Sequence, residues 1–347
     1  MNDATSRLAA MHPAYFALVM ATGIVSIACY LVELQPIAVP LLWINIAFYA
    51  ALWILTIVRM ARFRDRVIAD LFHHGRAVGF FTTVAATCVL GSQLFVIVDA
   101  RSAATALWLA GIVLWALITY GVFAILTLKA EKPSLAEGIN GGWLVSVVAA
   151  QSVSVLGSQL APTFGAAAAK VLFFSLAMWL GGGMLYIWII SLIVYRYTFF
   201  TISPSDLAPP YWINMGAVAI STLAGSLLVM AAPHSTIITE LLPFIKGLTL
   251  MFWATATWWI PMLIILGIWR HVYMRFPLRY DPLYWGAVFP LGMYTVGTFR
   301  LSQAIDARFL MAIPRVFVFV AIAAWTLTMM GLVQELTMIA LGRRRAG

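Results

Sequence analysis

Charge is scarce in this chain of 347 residues. Asp, Glu, Lys and Arg together make up 10% of it, against about 25% in a soluble domain. That shortage excludes a folded unit with a fully solvated surface. Cysteine is nearly absent. Cys29 and Cys88 both fall inside apolar runs, which reads as two small buried hydrophobes and excludes a disulfide framework or a thiolate metal centre. There are five histidines. His73 and His74 are adjacent and diverge on a helix, and His12, His234 and His271 stand at the ends of apolar stretches. No spacing suits a metal or haem, and no carboxylate pair, nucleophile motif or phosphate loop is present. The sequence therefore predicts no enzyme, no metal and no cofactor. A membrane-embedded enzyme or quinone-binding subunit is the remote alternative. The start of the chain, MNDATSRLAAMHPAY, lacks the pattern of a cleavable signal.

What the chain has is hydrophobic length. Apolar residues make up 63%, and about 20 of them in a helix cross a bilayer. Ten segments qualify: Pro13–Val32, Ile37–Val58, Val78–Val98, Ala104–Leu128, Gly141–Leu160, Lys170–Tyr195, Trp212–Ala231, Pro243–Trp269, Trp285–Ala304 and Ala312–Leu341. The formal charge is +9, and its placement argues for topology rather than nucleic acid. With the N-terminus in the cytoplasm, Arg7, Arg59, Arg62, Arg64, Arg66, Arg76, Lys129, Lys132, Arg196, Arg270, Arg275, Arg279, Arg343, Arg344 and Arg345 all lie on the inner side, as the positive-inside rule requires. The expectation is one transmembrane domain over residues 1–347, multi-pass in a cell membrane (a bacterial inner membrane), with both termini cytoplasmic and a lipid bilayer as its surroundings.

Odd and even segments differ in texture. The fifth, WLVSVVAAQSVSVLGSQL, is rich in small and hydroxylic residues, whereas the even ones carry bulk such as Trp43, Trp179, Trp188, Phe252 and Trp258. Small residues suit close helix contact or a wetted wall. The hexapeptide VLGSQL occurs at Val89–Leu94 and again at Val155–Leu160. Gly23, Gly91, Gly157, Gly225 and Gly297 follow one another at 68, 66, 68 and 72 residues, a near-constant period, and are read as helix kinks. The expected fold is all-α and integral to the membrane: ten transmembrane helices as five hairpins, with a quasi-five-fold ring of odd-numbered helices around a central pore. Thr22, Ser26, Thr83, Thr87, Ser146, Ser154, Ser221, Thr222 and Thr295 are the candidate pore-lining hydroxyls, able to replace an anion's lost hydration. The ninth segment, WGAVFPLGMYTVGTFRLSQA, combines glycines, a proline and one bulky ring, Phe289, in its first half. Arg300 lies ~16 Å beyond Phe289 at 1.5 Å per residue and is a candidate for attracting anions at the outer mouth. His12 is the best candidate for sensing pH.

Ten segments in five hairpins, with HPAYFALVMATGIVSIA in the first and FPLGMYTVGTFRLSQ in the ninth, resemble the tellurite-resistance/C4-dicarboxylate transporter family, which includes TehA-like bacterial proteins and plant slow-type anion channels. The likeness spans essentially the whole chain. It implies a pore closed at mid-membrane by a phenylalanine, here Phe289 before Pro290, and a homotrimer in which each subunit has its own pore. The implied cargo is small anions. The alternative is proton-coupled carriage of C4-dicarboxylates such as malate or succinate.

Overall fold

The computed structural model describes residues 3–341; the arginines at 343, 344 and 345 lie outside the described residues. It is all-α, with no strand among the described residues. The ten long helices are α1 (Ala17–Leu31), α2 (Gln35–Arg62), α3 (Phe81–Val98), α4 (Arg101–Leu128), α5 (Val145–Leu160), α6 (Ala168–Phe199), α7 (Ile213–Met230), α8 (Leu242–Ile268), α9 (Trp285–Ala304) and α10 (Ala312–Ala340). By length and apolarity alone, eight uninterrupted stretches could cross a membrane. One of these, Gly141–Phe199, holds both α5 and α6, joined through Gly165 in the left-handed region at φ 51°. α9 falls outside the set because its glycines and hydroxyls dilute its apolar side chains.

Each odd helix opens through a 3-10 turn: Pro13–Phe16, Val78–Phe80, Gly141–Leu144, Pro209–Trp212 and Pro282–Tyr284. The local sequences HPAYF, NGGWL, APPYW and DPLYW explain four of the five. Three of those four place proline at the start of the turn, where its missing N–H costs nothing. Side chains cap the turns, with His12 Nδ1 accepting from Ala14 N at 3.0 Å. Asn140 Oδ1 accepts from Gly142 N at 2.8 Å, and Asp281 Oδ1 from Leu283 N at 2.7 Å. Such caps satisfy amides that the helix itself leaves free.

The odd helices close a ring. α1 packs on α3, α3 on α5, α5 on α7, α7 on α9, and α9 back on α1. Each even helix lies against its own odd partner and also against the next odd helix, so that α2 touches α3, α4 touches α5, and α10 returns to α1. A polar tie repeats at these second contacts. Tyr49 of α2 meets Thr87 of α3 at 2.9 Å. Thereafter a tryptophan donates each time: Trp108 to Val153 O at 3.1 Å, Trp179 to Ser221 O at 2.9 Å, Trp253 to Thr298 Oγ1 at 3.1 Å and Trp325 to Thr22 Oγ1 at 3.0 Å. The bulk on the even helices thus divides. Trp43, Trp188 and Trp258 face outward, as expected, but Trp179 and Phe252 are fully buried between the rings.

The five period glycines lie inside unbroken helices, and the structure gives them a use other than bending. A Cβ on Gly225 would strike Thr249, one on Gly157 would strike Ser175, and one on Gly91 would lie 2.5 Å from Leu156. At Gly23 it would meet Val89 at 2.7 Å, and at Gly297 the Ala219 carbonyl at 2.8 Å. They are close-approach positions between neighbouring helices.

Candidate functional site

Two cavities lie along the ring. The larger, about 460 Å³, is a vestibule at the N-terminal ends of the odd helices, lined by Ala17, Thr82, Val145, Ile213 and Gly286 together with the turns that precede them. The smaller is a chamber of about 20 Å³ further along all five helices. α1 contributes Ile24 and Ile27, α3 Val89 and Ser92, α5 Ser152 and Val155, α7 Ile220 and Leu223, and α9 Met293 and Val296; Cys88 and Gln159 complete the wall.

These positions fix which face of each helix looks inward. Residues three and four apart share a helix face. From Gly286 to Met293 on α9 the face passes through Phe289; from Ala17 to Ile24 on α1 it passes through Met20. The same step gives Ala85, Val148 and Gly216 on the other three. All five are buried, and none lines either cavity. One Met, one Ala, one Val, one Gly and the Phe289 ring thus stand, by helix register, between the vestibule and chamber positions. Gly216 is glycine for a steric reason: a Cβ there would lie 2.7 Å from Pro290 Cγ. α7 and α9 touch where Pro290 removes the amide that would otherwise bond the Gly286 carbonyl.

None of the nine hydroxyls picked from the sequence lines the vestibule or the chamber. Ser26 donates to Ala38 O on α2 and Ser154 to Ser175 O on α6, both at 2.7 Å. Thr22 and Thr87 are occupied by the ties to Trp325 and Tyr49. Thr83, Ser146, Ser221, Thr222 and Thr295 bond carbonyls one turn back in their own segments, the ordinary use of a hydroxyl in an apolar helix. Of the hydroxyls on the odd helices themselves, those that line a cavity are Thr82 in the vestibule and Ser92 and Ser152 in the chamber. Ser152 donates to Val148 O at 2.7 Å. Ser92 Oγ and Gln159 Oε1 are buried without a partner, a state that costs ~1–3 kcal/mol per group. The available signal was the turn motif, since counting from the residue after HPAYF, NGGWL, APPYW or DPLYW gives the inward face directly.

Arg300 continues the inward face of α9 one turn beyond Val296. It is half-buried, donates to Gln303 Oε1 at 3.0 Å and lies over the Phe299 ring at 5.8 Å. Asp306, in the following turn, pairs with Arg308 at 3.5 Å.

At the vestibule, Arg196 is buried, donates to Ala136 O at 2.6 Å and sits 3.4 Å from Asp206 Oδ1. His12 is half-buried in the same wall. Burial, reinforced by the Arg76 guanidinium, pushes its imidazole down to about 4. His12 is then neutral through the physiological range and cannot act as a switch there, contrary to the pH-sensing role expected of it. In the unfolded chain it titrates near 6.5, so between about 6.5 and 4 the unfolded state binds the extra proton and stability falls as pH falls. A His12→Gln variant should keep the parent's flux–pH profile between pH 6 and 8, yet lose less melting temperature on acidification from pH 7 to 4.5. A changed profile in the neutral range would contradict this assignment.

Behind His12 lies a buried ion cluster. Asp70 accepts from Arg59 Nη2 at 2.7 Å and also pairs with Arg76. Arg59 and Arg76 in turn donate to the carbonyls of Ala9 and Met11, each at 3.1 Å. Arg59 at the end of α2 and Arg76 before α3 are thus internal struts that fix the segment leading into α1.

The family described as SLAC1, voltage-dependent anion channel, matches residues 10–333. Two uncharacterized transporters of Methanocaldococcus jannaschii are each 27% identical to this chain, over 298 and 290 residues, covering 82% of this chain and 82% of their own length. An uncharacterized membrane protein of Mycobacterium tuberculosis is 42% identical over 153 residues, 44% of this chain and 77% of its own.

Proposed function

The chain belongs to the SLAC1 voltage-dependent anion channel family, and we propose that it passes small anions along the axis of its helix ring, through a constriction closed by Phe289. One observation carries the reading. All five odd helices line both cavities, and of the five buried residues that helix register places between them Phe289 is the one aromatic ring. Pro290, seated against Gly216, is the pivot beside which that ring turns aside. Arg300, on the same face further out, concentrates anions at the far mouth. The vestibule opens to the cytoplasm, because Arg62, Lys129 and Arg196 stand at the C-terminal ends of even helices, at that end of the ring, and basic residues favour that side. On this reading both termini are cytoplasmic, the whole chain is one transmembrane domain in the cell membrane, and three copies assemble with one path each.

Fast passage of an anion needs donors without tight fixed charge. No Asp, Glu, Lys or Arg lines the chamber, so the narrow part of the path offers nothing to couple protons to a dicarboxylate. The test is flux from proteoliposomes with chloride, nitrate, malate and succinate, with and without a pH gradient. Chloride and nitrate should pass independently of the gradient. Gradient-driven malate or succinate uptake, with no inorganic anion flux, would replace this reading with a coupled carrier.

A further inference from the structure

Of the two cavities, the chamber is the one whose chemistry is unfinished. Its wall is mostly aliphatic, yet it holds two buried polar atoms without partners, Ser92 Oγ and Gln159 Oε1. Ser158, outside the chamber, is also without a partner, but Ser152 and Ser226 give their proton to the carbonyl one turn back, to Val148 and Thr222. Ser92 does not, although it is only 4% exposed. Both groups come from the VLGSQL repeats, but from different places in them. In the first copy Ser92 faces the chamber while Gln93 is taken up by Asn45, 2.8 Å away on α2. In the second, Gln159 faces the chamber and Ser158 does not.

We propose that the chamber is a binding site for a single, partly dehydrated monovalent anion, held by the Ser92 hydroxyl and the Gln159 carboxamide. The proposal rests on reading the axis as the anion path. Ser92 has a free proton to donate. The Gln159 amide turns over about its terminal torsion, which is soft and roughly two-fold, and presents N–H in place of oxygen. A space of about 20 Å³ accepts a water-sized guest and has no room for a four-carbon dicarboxylate. With no cationic side chain in the wall, the guest is held by neutral donors alone and leaves readily. Such a site ranks ions by the hydration they surrender. It also gives chloride, which surrenders more than nitrate, the larger benefit from the two donors.

The direct test is anomalous scattering from bromide-soaked crystals of the full chain. A bromide peak between Ser92 and Gln159 is expected, lost in Ser92→Ala and Gln159→Leu and kept in Ser158→Ala. Water alone in the chamber overturns the proposal. The functional arm uses Phe289→Ala, in which reversal potentials give the nitrate/chloride permeability ratio. Adding Ser92→Ala or Gln159→Leu should raise that ratio about threefold or more, and adding Ser158→Ala should leave it alone. An unchanged ratio in both lining variants also overturns the site while leaving the anion path intact. A bromide peak in a protein whose Phe289→Ala variant carries no anions would leave the site standing and remove the gate.

Discussion

Replacing Phe289 by alanine should raise anion flux in proteoliposomes at least about tenfold, the effect of removing ~1.4 kcal/mol from a barrier. The ring is 1% exposed, and its four companions between vestibule and chamber are smaller or more flexible: Met20, Ala85, Val148 and Gly216. Its removal joins the vestibule to the chamber. It also leaves a cavity, with a cost of ~3–5 kcal/mol for a buried Phe→Ala, so stability and conduction should move in opposite directions. Leucine at this position should fall between the two in flux and should melt closer to the parent. A folded Phe289→Ala protein with the parent's flux would show that the axis is closed by something else.

A loss of stability as large should come from Asp70→Ala, far from the axis. The Arg59 side chain is 4% exposed and that of Asp70 8%. Removing the carboxylate strands a buried guanidinium, at ~3–5 kcal/mol. Because the same arginines hold the Ala9 and Met11 carbonyls, the segment carrying His12 should loosen together with the cluster. Melting in detergent checks the first effect, and faster hydrogen exchange at residues 8–14 the second. Arg62→Ala, at the exposed C-terminal residue of α2, should cost well under 1 kcal/mol, as exposed charges usually do. Equal losses in the two variants would mean that the cluster is not a structural anchor.

The hairpin pattern could be read from the sequence because it depends on composition: small residues on odd helices, bulk on even ones. The inward face could not. α7 is buried on nearly every side, so its apolar residues mark no stripe, and hydroxyls serve packing as readily as a wetted wall. The glycine period misled for the same reason. Gly91, Gly157 and Gly225 are set by contacts with neighbouring helices, and Gly91 stands closer to its vestibule position, Thr82, than Gly157 and Gly225 do to Val145 and Ile213. Identical VLGSQL copies do not occupy equivalent places either. The tryptophan ties were hidden because an indole between two rings and an indole facing lipid look alike in sequence.

The return of α10 to α1, tied by Trp325 and Thr22, sets an order on biogenesis. The first hairpin leaves the ribosome with one flank bare and stays so until the fifth has been inserted. The barrel of helices is a wheel whose final spoke must reach back to the first, so any quality-control factor that shields an unfinished chain would find that flank of α1 uncovered longest.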